Sequence, residues 1–477
     1  MARRGLQDHL GGGFFRYCVD ADWTIPHFEK MLYDNAQLLP VYARAAADPA
    51  FDAGTRALAQ RAASGIVDWL ERDMLRADGG FASSMDADSE HEEGKFYLWT
   101  RESMATALDT RLAGLALRAY GLDRAPNFEG RAWHLVRDEP VEALAASMQR
   151  GPNEVEQDLE TAREALLAAR TQRTPPGRDD KALTAWNALA IAGLARSALV
   201  LDDAGCAALA QRALDSLRRG AWLDGKLYAN IAPPAARIPG FLDDHAFLLD
   251  ALLDMLQWRF DPGDLAWAVA LADALLERFS DTASGAFWFA AADHATPLAR
   301  GRSFTDDALP NGNAVAIRAL LRLGHLLGET RYLDAAERAL QAGASTLVQL
   351  PAACPTLLRA QAEAAQPRLQ LVVRCTPAQA ATWRMAMRGA LAQNRLPLGN
   401  DAIDVFVIDM PADALPGVLG ARTVATPHGS AQICTGLTCQ APLTEPADLV
   451  AAVREVHAPQ VSWAGVQPDN APIKPPG

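Results

Sequence analysis

Residues 79–100 read GGFASSMDADSEHEEGKFYLWT, and this stretch sets the pattern for most of the chain. A glycine turn leads into a short, extended aromatic piece and then an acidic loop before the next helix. The pattern returns elsewhere. Gly11-Gly12-Gly13 opens onto FFRYCVD, Asp224-Gly225-Lys226 onto LYANI, and Gly285-Ala286 onto FWFAAAD. Working outward, the segments between these pieces carry helical periodicity. It predicts helices near 34–47, 54–75, 101–120, 138–171, 181–200, 203–219, 243–260, 263–280, 312–327 and 330–347. In 263–280, Leu265, Val269, Ala272, Leu275, Leu276 and Phe279 fall three or four residues apart on one face. The joins at Ala47–Gly54 and Asp261–Gly263 are short, whereas those holding the glycine-aromatic pieces are long. Alternating short and long joins are what helical hairpins in a ring produce, with the long loops gathered at one mouth.

Composition bounds the function classes. The chain has 477 residues, of which 50% are hydrophobic and 22% charged, with a net charge of −13. Abundant Ala and Leu favour helix. No basic run appears, and a nucleic-acid or anionic-membrane partner needs one, so neither is expected. The stretch Ala182–Leu201 comes nearest to a membrane span but is broken by Trp186-Asn187 and Arg196. The N-terminus lacks a continuous apolar segment of the secretory kind. Six cysteines scattered over so long a chain point to a reducing compartment, so a cytoplasmic location is expected.

After about residue 350 the texture changes. Pro351, Pro355 and Pro367 read as a linker. Leu369–Arg374 and Asp404–Asp409 read as buried strands, and Pro377–Asn394 and Glu445–Val456 as helices. The expected organisation is a helical-hairpin toroid over 1–350, a small α/β domain over 366–458, and a tail over 459–477.

The segment GGGFFRYCVDADWTIPHFEKMLYDNAQLL (11–39) resembles the family of spermatogenesis-associated protein 20 and its bacterial thioredoxin-domain-containing relatives. The resemblance continues in GFASSMDADSE, EEGKFYLWT, DDKALTAWNALAIAGLA, GFLDDHAFLLDALL, DDALPNGNAVAIRALLRL and CTGLTCQAPLTEP, and so covers most of the chain. It implies a thioredoxin-like domain followed by an (α/α)6 toroid similar to N-acylglucosamine 2-epimerases and six-hairpin glycosidases. Against that pattern the chain starts well inside the toroid. The expected fold is therefore mainly α, an (α/α)6-type toroid missing its first helical hairpin, plus a small C-terminal α/β domain.

The candidate site residues lie in the long joins. His27, with Glu29, Asp34 and Asn35 close behind, can move a proton near neutral pH; it could equally be a capping or core histidine. Asp86 and Asp88 stand in a loop that could bind sugar hydroxyls or simply be solvated. Asp179 or Asp180 caps the next helix, leaving the other, with Lys181, to face the mouth. Trp186 beside Asn187 suits stacking on a sugar ring. Asp243, Asp244 and His245 repeat the arrangement, again with one acid as a cap. Asp307, Asn311 and Asn313 form the last polar cluster. Cys434 and Cys439 read as a redox pair or as two buried thiols. No metal site and no cofactor are expected.

Three functions fit. The leading one is a carbohydrate-active toroid binding a sugar-like ligand at the mouth, with 2-epimerase-like proton transfer by His27 and His245, held by Asp34 and Asp244. The second is glycoside hydrolysis by two carboxylates, Asp88 and Asp244. The third is a non-catalytic binding or scaffold toroid. Facing histidines would favour the first, facing carboxylates the second, and acids used up as helix caps the third.

Overall fold

The computed structural model describes residues 1–294, 299–393, 403–410, 415–422 and 428–457. The tail at 459–477 and Asn394 lie outside the described residues. The protein is mainly α, and its toroid is built of hairpins. Helix α1 (Leu32–Ala47) pairs with α2 (Ala53–Trp69). Three short helices and a long one follow: α3 (Arg101–Ala107), α4 (Thr110–Ala119), α5 (Val141–Ser147) and α6 (Pro152–Arg170). Then α7 (Thr184–Leu201) pairs with α8 (Ala204–Gly220), α9 (Leu242–Trp258) with α10 (Pro262–Ala274), and α11 (Gly312–Leu327) with α12 (Thr330–Gln349). Helices α1, α7, α9 and α11 pack side by side in that order as an inner wall, each backed by its own partner. Helix α13 (Pro355–Ala365) extends the wall beside α11.

Short turns join each inner helix to its outer partner, and three of the four are acid-capped. The Asp52, Asp203 and Asp261 side chains accept the first free N–H groups of α2, α8 and α10. The long joins all return to the N-termini of the inner helices, so the glycine-aromatic pieces gather at one end of the wall. There they pair as two-residue strands, for example Met31 with Ser84 and Ser84 with Asp179.

Inner helices are apolar nearly all round because both faces are covered. Helix α7 is the one described helix long and apolar enough to cross a membrane, but it is 72% buried between α1, α8 and α9. Its Gly193 sits where a Cβ would collide with the Ala36 carbonyl. Pro40, inside α1, has no N–H to give that carbonyl. The glycine thus lets α7 close on the one stretch of α1 whose backbone ladder is interrupted.

Two stretches read as single helices are divided, each for a local reason. The stretch 101–120 is two helices because Asp109 caps a fresh start at Thr110. The stretch 138–171 is also two, because Gly151-Pro152 begins α6. These four helices form side clusters of their own and do not extend the ring. The described ring therefore holds four hairpins and α13, one hairpin fewer than the ten expected helices suggested. The prolines read as a linker instead start helix α13 at Pro355.

The C-terminal part has its own core. Strand Leu369–Arg374 lies at the centre of a four-stranded sheet, parallel to Ile403–Ile408 and antiparallel to Ser430–Thr435, with Thr438–Cys439 at the edge. Alternate residues Leu369, Leu371 and Val373 face α14 (Pro377–Gln393) and α16 (Leu449–His457). The other face meets the toroid. There the short α15 (Val418–Ala421) contacts α11. Arg322 of α11 lies between Asp250 and Asp254 of α9 and Asp404 of the sheet, at 2.6, 2.8 and 2.9 Å.

Candidate functional site

The mouth is built on the first turns of the inner helices, and these are held by one repeated device. Asn187, in the first turn of α7, accepts the Phe81 N–H at 2.7 Å and donates to the Phe81 carbonyl at 3.1 Å. Asn35 of α1 does the same to Phe14 at 2.7 and 3.0 Å, and Asn313 of α11 to Phe287 at 2.8 and 2.9 Å. Each phenylalanine belongs to a glycine-aromatic piece, so each asparagine pins a long join to its inner helix. All three amides are buried. The expectation that Asn35, Asn187 and Asn313 face a ligand is corrected: their amide groups are used on backbone that would otherwise be buried without partners.

His245 occupies the same helical position in α9. Its Nδ1 lies 2.8 Å from the Phe241 carbonyl, four residues back. Asn35 and Asn187 likewise donate to the carbonyls of Met31 and Leu183. The ring is fully buried against Phe279, and burial pushes its pKa down to about 4. A buried, neutral imidazole in a packing position cannot serve as the second proton carrier of a histidine pair. Asp244 does not hold it either. Its carboxylate accepts the Phe241 N–H at 2.8 Å and, across the helix interface, the Ala185 N–H at 2.9 Å. It therefore caps α7 from α9, a helix with no side-chain cap of its own.

His27 lies in a two-residue strand before α1, not at a helix start. Its Nδ1 is 2.8 Å from Glu93 and its Nε2 3.2 Å from Glu29. The expected partner, Asp34, is not among these contacts. Glu29 also accepts from Arg16 at 3.1 Å, and Arg16 faces the Tyr33 hydroxyl. Tyr33 packs edge-on against Trp186, ring centres 4.7 Å apart, which joins the first turns of α1 and α7. Asp34 follows Tyr33. One of its carboxylate oxygens is buried without a described hydrogen-bond partner. Burial raises its pKa to about 7; Arg16 opposes the shift and Glu29 adds to it. Asp243, in the first turn of α9, is also raised to about 7, by burial and then by the Asp244 charge. Its carboxylate lies against the start of α11, where any Cβ on Gly312 would collide with it.

The remaining expected residues fall outside this cluster. Asp86 and Asp88 are exposed on the rim, and so are Asp180, paired with Arg178 at 2.6 Å, and Lys181, paired with Asp179 at 2.5 Å. Asp307 is exposed, and Asn311 is the N-cap of α11, its amide donating to the Ser303 and Thr305 carbonyls. Arg16, Tyr33 and Glu93 were missed. Their spacing carries no signal, and Tyr33 reads from sequence as ring packing.

Below the mouth the inner wall encloses a cavity of about 360 Å³. It runs from Gln37 and Pro310 to Arg44 and Arg196, two turns deeper. Gln37 also donates to the Ala308 carbonyl at 3.1 Å, tying α1 to the last long join.

No family model matches the chain. It is 33% identical over 419 residues to spermatogenesis-associated protein 20 of Rattus norvegicus, a match covering 80% of this chain and 52% of the relative. With the Homo sapiens protein it is 29% identical over 488 residues, 94% of this chain and 61% of the relative. The chain thus spans between half and two thirds of these curated relatives. Among solved structures it is similar to cellobiose 2-epimerase from Spirochaeta thermophila DSM 6192, at 15% identity and a TM-score of 0.43 over 72% of this chain and 66% of that one. Over the region they share, this chain belongs to the family of spermatogenesis-associated protein 20.

Proposed function

We propose that the mouth of the toroid binds a sugar or sugar derivative and carries out acid/base chemistry on it with Asp34 and Asp243. One observation carries the proposal. Two carboxyl groups, each raised to about 7, sit on the first turns of α1 and α9, the two helices that flank α7. A carboxyl group poised near neutrality can both give and take a proton, which an epimerisation next to a carbonyl requires. Trp186, half-buried on α7 and braced edge-on by the buried Tyr33 of α1, supplies aromatic surface for a pyranose face. His27, held between Glu29 and Glu93, supplies a polar rim. Of the acids expected at the site, Asp244 is used as a cap, but Asp34 and Asp243 are not, which argues against a purely structural use of the mouth.

The test is thermal unfolding of the chain with a panel of hexoses, amino sugars and disaccharides, followed by proton exchange into any sugar that binds. A ligand specific for the folded state raises the midpoint. The proposal expects a rise for one sugar class, with solvent deuterium appearing next to the sugar carbonyl and both lost in Trp186→Ala. In Asp34→Asn and Asp243→Asn, binding should persist while exchange stops. No rise with any sugar overturns the binding reading. A rise without exchange overturns the acid/base reading and leaves a binding toroid.

A further inference from the structure

A second cleft, of about 580 Å³, opens between the far end of α11 and the C-terminal sheet. His325 and Gly328 line its toroid side; Arg374, Ser430 and Gln432 line its sheet side. These three belong to the sheet face turned toward the toroid, where Arg374 pairs with Ser430 in register. Arg374 is 2% exposed. Its Nη2 donates to the Met410 carbonyl at 2.8 Å, but its Nε and Nη1 are buried with no described partner. Arg422, across the cleft, has a buried Nη1 in the same condition. Among the described lining residues there is no carboxylate. In a chain of net charge −13 this is a local positive site, and two unanswered guanidinium groups call for an anion.

The cleft also holds a disulfide. Cys434 and Cys439 are bonded to each other across neighbouring strands. The bond is asymmetric in access: Cys434 is buried, whereas Cys439 is exposed and lines the cleft. Arg422 Nη2 lies 3.4 Å from the Cys439 sulfur and 3.6 Å from the Cys434 sulfur.

We propose that this cleft binds a small thiol carrying a carboxylate and that the Cys434–Cys439 disulfide exchanges with it. The carboxylate pairs with Arg374 and Arg422. The thiolate attacks the exposed Cys439 sulfur, forming a new S–S bond, while the Cys434–Cys439 bond breaks and its electron pair leaves on Cys434. Arg422 stabilises that leaving thiolate, which takes up a proton as the site resolves. A second thiolate then attacks the small-molecule sulfur of the mixed disulfide and releases Cys439. In balance, two thiols are oxidised to one disulfide and the protein disulfide is reduced to two thiols.

The test treats the whole oxidised chain, without oxygen, with 3-mercaptopropionate or with uncharged 2-mercaptoethanol at equal thiolate concentration. Acid quenching and mass spectrometry follow both cysteines. The expected result is reduction about tenfold faster with 3-mercaptopropionate, with the transient adduct on Cys439. In Arg422→Gln the ratio of the two rates should fall toward one, and Arg422→Lys should restore part of it. This ratio is internal to each variant, so a general loosening that speeds both thiols alike leaves it unchanged. Equal rates in the parent chain, an adduct on Cys434, or an undiminished ratio in Arg422→Gln would each overturn the proposal.

Discussion

Asn187 and Phe81 exchange two hydrogen bonds over a sequence distance of 106 residues, the asparagine side chain reading the phenylalanine backbone as a neighbouring strand would. The same exchange at Asn35–Phe14 and Asn313–Phe287 makes it the fastening of the ring. Three inner helices are each joined by their fourth or second residue to a glycine-aromatic loop 21, 106 or 26 residues back in the chain.

Removing one fastening should therefore cost stability. Asn187→Ala leaves the Phe81 N–H and carbonyl buried without partners, a loss of about 2–3 kcal/mol. Urea unfolding would show it as a lower midpoint. A change within about 0.5 kcal/mol would mean that water replaces the amide and that the fastening is not structural.

His245 stands in the asparagine position of α9, which leads to a prediction opposite to that for a catalytic base. Burial holds it at about 4, against an ordinary 6.5, so between these values the unfolded chain binds a proton that the folded chain does not. Stability from this group is present above pH 6.5 and is lost as pH falls toward 4. His245→Asn should be within about 1 kcal/mol of the parent at pH 8 and more stable than it at pH 5. It should also keep whatever ligand the mouth binds; loss of binding in a well-folded His245→Asn would restore the histidine to the site.

Asp243 has the reverse linkage. Its carboxyl is raised to about 7 against an ordinary 3.8, so the folded chain holds a proton that the unfolded chain has released. The cost of burying the charge is absent below pH 4 and full above about pH 7. Asp243→Asn should thus stabilise by roughly 1–2 kcal/mol at pH 8, after allowance for partial exposure, and by nothing at pH 4. Thermal melts at the two pH values compare directly, and an equal effect at both would refute the raised value.

Arg322 joins the two parts of the chain. It is buried among Asp250, Asp254 and Asp404, and its charged form is favoured: burial opposes it, and the three carboxylates outweigh that. Arg322→Met would take away the one guanidinium bonded to all three acids and leave them the more distant or one-sided help of Arg196, Arg318 and Arg368, at a cost of about 3–5 kcal/mol. Adding Asp404→Leu should recover part of the loss, because it removes one of the stranded charges. A double variant no more stable than the single one would contradict that account.

The helical ring was legible because its evidence is local. The periodicity of 263–280, the short joins at Ala47–Gly54 and Asp261–Gly263 and the glycine-aromatic pieces each declare themselves within a few residues, and the order of short and long joins then leaves little choice of architecture. The breaks inside 101–120 and 138–171 were harder, since a capping Asp109 or a Gly151-Pro152 step inside an apolar periodic run is one weak signal against many stronger ones.

The site was only half legible, for a physical reason. Sequence alone named polar residues of the first turns, from Asp34 to Asn313, because polar side chains in the first turn of an otherwise apolar inner helix must be there for a purpose. Which purpose is a matter of what lies opposite. Asn187 and Asp34 look alike in sequence, but one meets the Phe81 backbone while the other keeps a buried carboxylate oxygen without a described partner. Asp243 and Asp244 are neighbours in the chain, yet one caps α7 and the other lies against the start of α11. Sequence determined the helices, their pairing and the residues at the mouth, because these follow from nearest-neighbour patterning. Tertiary structure alone decided which acids cap a helix and which do not, because their hydrogen-bond partners come from other segments: the Ala185 N–H that Asp244 accepts lies 59 residues away.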